Sequence, residues 1–255
     1  MNQPASKSHE FVVRINALRE AEGDQRDAWE GLLWEIKLLK RTDAPIAWSL
    51  EGSVHACMRK SEDAIYAFEN ALRLAKNNYI IRHNYSAALA ELGFYQRAFV
   101  QASEAYRLTE GAPGDAKTTF DMAWDAGEFA AARHWLEVAR KLNADVGIEA
   151  ASCVENTANF AGQRGWSDAL ISGYVEAALS VFRTAGKRIR PQVSFGRDDG
   201  EGFVEYAMYL KEPQSVVGKL NRDWRERAIG LDVPVSVLTD FVISARSELA
   251  DADAA

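Results

Sequence analysis

Cysteine is nearly absent. Cys57 and Cys153 are the only 2 in 255 residues. They are far apart and carry no pairing motif, so the chain has no disulfide framework. The expectation is two free thiols in a reducing compartment, the cytoplasm. Histidine is also sparse. His9, His55, His83 and His134 are scattered, with no His-x-x-x-His pair and no Cys-x-x-Cys. Metal-ligand spacing is therefore missing, and neither metal nor cofactor is expected. Gly-x-Gly-x-x-Gly, the Walker loop and Gly-x-Ser-x-Gly do not occur. No apolar run approaches the ~18 residues of a membrane span. Met1 to Glu10 is polar and reads as a tail without an apolar signal core. Positive charge is in deficit: 30 Lys and Arg against 37 Asp and Glu give a net charge of −7. That balance argues against a protein that coats nucleic acid, which needs a basic footprint.

What is present is an apolar content of 47% with 26% charged residues, the make-up of a folded chain. Within it, Pro45 to Val146 repeats every 34 residues. Ala64, Ala98 and Ala132 keep that spacing, as do Ala71, Ala105 and Ala139, and Leu74, Leu108 and Leu142. Gly93 and Gly127 do the same, each followed two residues later by an aromatic, Tyr95 or Phe129. A period of 34 is that of a helix–turn–helix solenoid, in which each unit buries its face on the next.

On these residues the chain resembles the tetratricopeptide repeat family. The best copy is 45–78, with Trp48, Gly52, Ala64, Phe68 and Ala71 on the family pattern. Glu51, His55 and Lys76 depart from it, as do Arg82 and Ser86 in the second copy and Phe120 in the third. The resemblance implies a right-handed superhelix of helix pairs whose concave face binds proteins or peptides. The first helix of each pair lines that face.

Before the clear copies, Phe11, Ile15 and Leu18 mark a helix over His9–Glu22, and Gly23-Asp24 breaks it. Ala28, Leu32, Ile36 and Leu39 mark a second over Asp27–Lys40. This pair reads as an atypical first repeat and N-terminal cap. Pro45 suits a first helical turn, and Ser61 before Glu62-Asp63 predicts an N-cap. Gly147 to Ala161 and Ser167 to Ala185 read as a divergent fifth pair.

Beyond Gly186 the pattern changes. Gln192–Gly196 alternates polar and apolar and reads as a strand, and the aromatic-rich Phe203–Leu210 reads as a second, around a polar turn at Arg197–Gly202. Pro213 opens a helix carrying Val217, Leu220, Trp224 and Ala228, ended at Gly230. Phe241–Ala245 is a third strand. The order β-β-α-β predicts a small α+β domain with one helix over an antiparallel sheet. The expected organisation is a disordered tail at 1–7, repeats at 8–186, the α+β domain at 187–247 and an acidic tail at 248–255. The fold class is mainly α: about five helix pairs, then the small α+β domain.

The repeat register nominates groove positions. Ser49, His83 and Lys117 are equivalent, as are Ser53, Ala87 and Asp121. Ala56, Ala90 and Trp124 form a third row; Cys57, Glu91 and Asp125 form a fourth. Small residues leave room for a bound segment, the charged ones set its polarity, and Trp124 offers an aromatic anchor. The alternatives are plain solvated helix faces, or faces covered by the chain's own C-terminal domain. The family's chaperone-binding members clamp a terminal carboxylate with Lys, Asn and Arg. Ser49, Ser53, Gly114 and Thr118 occupy those places here, so that clamp is not expected.

Arg183, Lys187, Arg188, Arg190 and Arg197 form a basic concentration. It reads as contact for phosphate or an acidic partner, or as a soluble linker that discourages strand pairing. Asp198, Asp199 and Glu201 lack calcium-loop spacing and read as a solvated turn. A strand edge in the C-terminal domain offers a route to self-association. The functional expectation is a non-catalytic adaptor binding a protein or peptide segment, with neither membrane nor nucleic acid as partner. The alternatives are a catalytic or small-ligand role for the C-terminal domain, with the repeats as a targeting arm, and a peptide-sensing regulator.

Overall fold

One turn conformation recurs at three places between helices. Arg59, Gly93 and Gly127 lie at the 34-residue spacing and all adopt left-handed backbone, with φ of 60°, 81° and 76°. The next residues, Lys60, Phe94 and Glu128, are N-caps with closely similar backbone angles and no side-chain cap. A left-handed residue ends a helix by folding the following amide onto its last carbonyls. Thus the Lys60 N–H donates to the His55 carbonyl at 2.9 Å, and the Glu128 N–H to that of Ala123 at 3.0 Å. This corrects the N-cap expected at Ser61. The new helix starts directly after the turn, so the cap falls on Lys60 and Ser61 is already helical.

The computed structural model describes residues 7–21, 25–109, 111–198 and 201–249. The expected break at Gly23-Asp24, Asp199-Gly200 of the hairpin turn, and the tails at 1–6 and 250–255 lie outside them. The described residues form helices in consecutive pairs, then a three-stranded sheet with its helices: mainly α with a small α+β end. Contacts divide the chain into two compact units, 1–92 and 93–255. The strands expected to open a separate domain at 187 fall within the second.

The first unit contains α1 (Lys7–Glu20), α2 (Arg26–Leu39), α3 (Ala44–Cys57), α4 (Ser61–Leu74) and α5 (Tyr79–Glu91). Asp43 caps α3, its carboxylate accepting from the Ile46 N–H at 3.3 Å, and Asn78 caps α5 in the same way. Leu32 and Ile36 of α2 are buried with Ile15 of α1 and Ala47, Leu50 and Val54 of α3. Gly52 lets α3 and α4 meet closely. A Cβ there would lie 2.5 Å from the Phe68 ring, which is itself stacked 4.8 Å from Tyr85. Gly52→Ala should therefore destabilise the unit by about 1–3 kcal/mol, despite the better helix propensity of alanine. Urea unfolding measures this; an unchanged midpoint would show that the Phe68 ring moves aside freely.

The second unit begins with α6 (Tyr95–Leu108), α7 (Pro113–Asp125), α8 (Phe129–Lys141), α9 (Ile148–Gln163) and α10 (Asp168–Phe182). Asp168 binds the start of α8, accepting from the N–H groups of Ala130 and Ala131 at 2.9 Å each. Then come β1 (Ile189–Asp198), β2 (Glu201–Leu210), α11 (Gln214–Ile229), α12 (Val235–Asp240) and β3 (Phe241–Ser247). β1 and β2 are antiparallel, from Ile189 opposite Leu210 to Asp198 opposite Glu201. β3 runs parallel to β2, from Val204 opposite Phe241 to Leu210 opposite Ser247. The sheet is mixed, which corrects the antiparallel sheet expected from sequence. Between β2 and β3 the chain crosses over through α11 and the unforeseen α12, and a long crossover is what parallel pairing requires. α11 packs on β3 and α10, burying Val217, Leu220, Trp224 and Ala228.

Both outer strands have edge groups already engaged. The Tyr95 hydroxyl donates to the Ile189 carbonyl at 2.7 Å on β1. On β3, the Asn221 carboxamide donates to the Ala245 carbonyl at 2.9 Å and accepts from its N–H at 2.7 Å. A side chain thus stands in for a neighbouring strand at Ala245. Asn221→Ala leaves both backbone groups unpaired. It should cost roughly 1–3 kcal/mol and promote association through the freed edge. Sedimentation that stays monomeric at high concentration, with unchanged stability, would refute the edge-covering role.

Candidate functional site

The first unit has a cleft between three helices. α3 packs against both α1 and α5, and their facing sides carry small residues that keep the space between them open. Leu50, Ala56 and Ala88 are buried at its base. The cleft holds about 270 Å³ and draws its lining from all three helices. α1 supplies Val12, Ile15, Asn16 and Arg19; α3 adds Ser53 and Cys57; α5 adds His83, Asn84, Ala87 and Glu91.

Of the groove positions in this unit, Ser53, His83, Ala87 and Glu91 come together here. Ser49 does not line the cleft and is buried with 2% of its surface exposed. Ser53 donates to the Ser49 carbonyl at 3.1 Å. Glu91 is tied down: the Arg59 guanidinium contacts its carboxylate at 2.9 Å and also donates to its backbone carbonyl. Cys57 forms no disulfide.

His55 and Glu51 lie on α3 away from the cleft. Glu51 is buried and pairs with Lys40, whose ammonium sits 3.0 Å from the Trp48 ring centroid. Burial acts to raise the Glu51 carboxyl, but hydrogen bonds with His55 and Lys40 outweigh it and hold the group below the ordinary range.

The remaining groove positions belong to α7 in the second unit. Lys117 and Asp121 pair with each other at 2.8 Å. Trp124 is half-buried, packs against the cluster containing Phe120, Leu136 and Val154, and lies 5.3 Å from the Phe129 ring. The fully buried Tyr206 of β2 donates its hydroxyl to the Asp125 carbonyl. Burial and the nearby Asp121 push the Asp125 carboxyl up to about 8, with Lys117 acting in the opposite direction. Glu128 is also raised, chiefly by burial, against hydrogen bonding from Ser172. Within this unit the C-terminal sheet thus reaches Asp125 of α7, while the Lys117 and Asp121 side chains remain 45% and 40% exposed.

No family model, curated protein or solved structure matches this chain.

The basic concentration is largely matched by acids. Arg183 pairs with Glu176, donates to the Gly93 carbonyl at 2.9 Å and lies 4.3 Å from the Phe94 ring centroid. Lys187 faces Glu212 at 4.0 Å and Arg190 pairs with Glu248. Arg188 and Arg197 are exposed. Among the described residues, no group of three or more His, Cys, Asp or Glu side chains is placed to hold a metal ion.

Sequence reasoning missed Val12, Asn16 and Arg19 of α1 and Asn84 of α5. The α1–α2 pair is offset by 36 residues from the next, comparing Ala28 with Ala64, so the 34-residue register could not align its side chains. Asn84 was within reach: it is one residue past His83 and shifts back onto Leu50, which also lines the cleft.

Proposed function

We propose that this chain is a non-catalytic adaptor of tetratricopeptide-repeat type, and that the cleft between α1, α3 and α5 binds a segment of a partner protein. The carrying observation is convergence: groove positions on α3 and α5, nominated from the family resemblance and the repeat register, meet α1 around one open space. Small side chains at Ser53, Ala56 and Ala87 leave room there, while Leu50 and Val12 give apolar contact. The cysteines, which form no disulfide, accord with a reducing, cytoplasmic setting.

Ala87 is exposed on the cleft wall, so Ala87→Trp fills the space with little effect on stability. Cross-linking in native-host extract should identify partners of the wild type, and Ala87→Trp should weaken their binding at least about tenfold, a loss of ~1.4 kcal/mol. If that variant folds and retains every partner, the cleft is not the binding site.

A further inference from the structure

The cleft's unpartnered polar groups suggest what kind of segment it takes, an inference that rests on the binding role just proposed. Asn16 and Asn84 face the space from opposite walls, on α1 and α5. Neither carboxamide has a hydrogen-bond partner among the described residues. Arg19, one turn beyond Asn16, is exposed on the same wall and has no counter-ion among the described residues. The acid in the lining, Glu91, is already held by Arg59. Among the described residues, then, a cation without a counter-ion and two carboxamides without a partner surround an apolar base, Asn16 and Arg19 exposed and Asn84 half-buried.

The dimensions favour extended backbone. The α5 lining runs from His83 to Glu91, a little over two helical turns or about 12 Å, which is three to four residues of extended chain. A helix with side chains is about 10–12 Å across. A space of 270 Å³ is too small to enclose one. Extended backbone brings amide donors and acceptors, and among the described residues of this unit there is no strand to pair them. A carboxamide offers both functions, so Asn16 and Asn84 can bracket a passing main chain.

We infer that the cleft between α1, α3 and α5 binds an extended peptide segment bearing an Asp or Glu side chain, with Asn16 and Asn84 holding its main chain and Arg19 its carboxylate. The side chain is the favoured source of the carboxylate because of where Arg19 stands. It is on the exposed wall, within reach of a group projecting sideways from the chain. A chain terminus lying on the base would meet Leu50, Ala56 and Ala88 instead.

The test uses the full chain and three fluorescent hexapeptide pools, randomised over Ala, Val and Ser around one fixed central residue. The first has central Glu and an amidated end, the second central Gln and an amidated end, and the third central Gln and a free carboxylate. Fluorescence anisotropy should show the Glu pool binding about tenfold more tightly than the amidated Gln pool, as expected for a charge-assisted contact. Arg19→Gln should abolish that preference, bringing the Glu pool down to the affinity of the amidated Gln pool measured on the same variant. Asn16→Ala combined with Asn84→Ala should weaken both amidated pools alike. Equal binding of the amidated pools, displaced by Ala87→Trp, would overturn the acidic preference and leave the segment-binding role standing. A preference for the free-carboxylate pool would assign the carboxylate to a chain terminus and overturn the side-chain assignment. Failure of every pool to bind would overturn both the inference and the binding role it rests on.

Discussion

Trp224→Ala should cost the second unit about 3–5 kcal/mol, the usual range for truncating a buried aromatic. Trp224 is 3% exposed, and its ring meets Tyr174 of α10 edge-on with centroids 5.1 Å apart. Tyr174 in turn lies 6.0 Å from Phe241 of β3. One indole therefore joins the crossover helix to α10 and, through Tyr174, to the third strand. Removing it leaves a cavity with walls on separate elements, none of which can close it alone. Trp224→Phe keeps an aromatic face against Tyr174 and should lose much less. Thermal melts followed by limited proteolysis give the comparison. A Trp224→Ala chain with wild-type melting and protease resistance would show that α11 does not secure the crossover.

Stability should fall as pH rises from about 4 to about 8, and Asp125→Asn should remove most of that slope. The Asp125 carboxyl titrates near 3.8 when unperturbed but near 8 in the folded chain, through burial and the neighbouring charge of Asp121. Between those values the unfolded chain has released a proton that the folded chain retains. The contribution is fully present below the lower value and is lost by the upper one. Every tenfold difference in proton affinity between the folded and unfolded chain is worth about 1.4 kcal/mol. Because Asp125 is half-buried as a residue, the expected loss by pH 8 is about 2–4 kcal/mol. Asp125→Asn should match the wild type near pH 4 and exceed it by that amount at pH 8. Asp121→Asn should act in the same direction with a smaller effect. Urea unfolding at both pH values decides the matter, and parallel pH profiles for wild type and Asp125→Asn would refute the assignment.

The helix pairs were legible in the sequence because their signals are local and repeated. The alanines at 34-residue spacing report one packed face, and Gly93 and Gly127 report the turn. Arg59 hid the first instance of that turn, since only its backbone, not its side chain, resembles glycine there. The hairpin was equally readable, because alternation and a polar turn lie within twenty residues of each other. The direction of β3 was not. Parallel or antiparallel pairing depends on where α11 and α12 deliver the chain, and a strand's own residues carry no record of that path.

The site divides along the same physical line. Register, applied to the helix that lines the groove in the family the chain resembles, nominated Ser53, His83, Ala87 and Glu91, because equivalent positions on successive repeats project alike. It could not show that Ser49 is buried, that Arg59 holds Glu91, or that Asn16 and Arg19 of α1 share the cleft. Nor could it show that Tyr206 reaches Asp125 across 81 positions of sequence. Sequence by itself determined the period, the helix pairing and the turns at Gly93 and Gly127, all consequences of short-range sterics and one repeated apolar face. Tertiary structure decided the strand order and direction, the partners of the charges and the walls of the cleft. Those depend on distances between segments remote in the chain, and the residues at either end encode them only jointly.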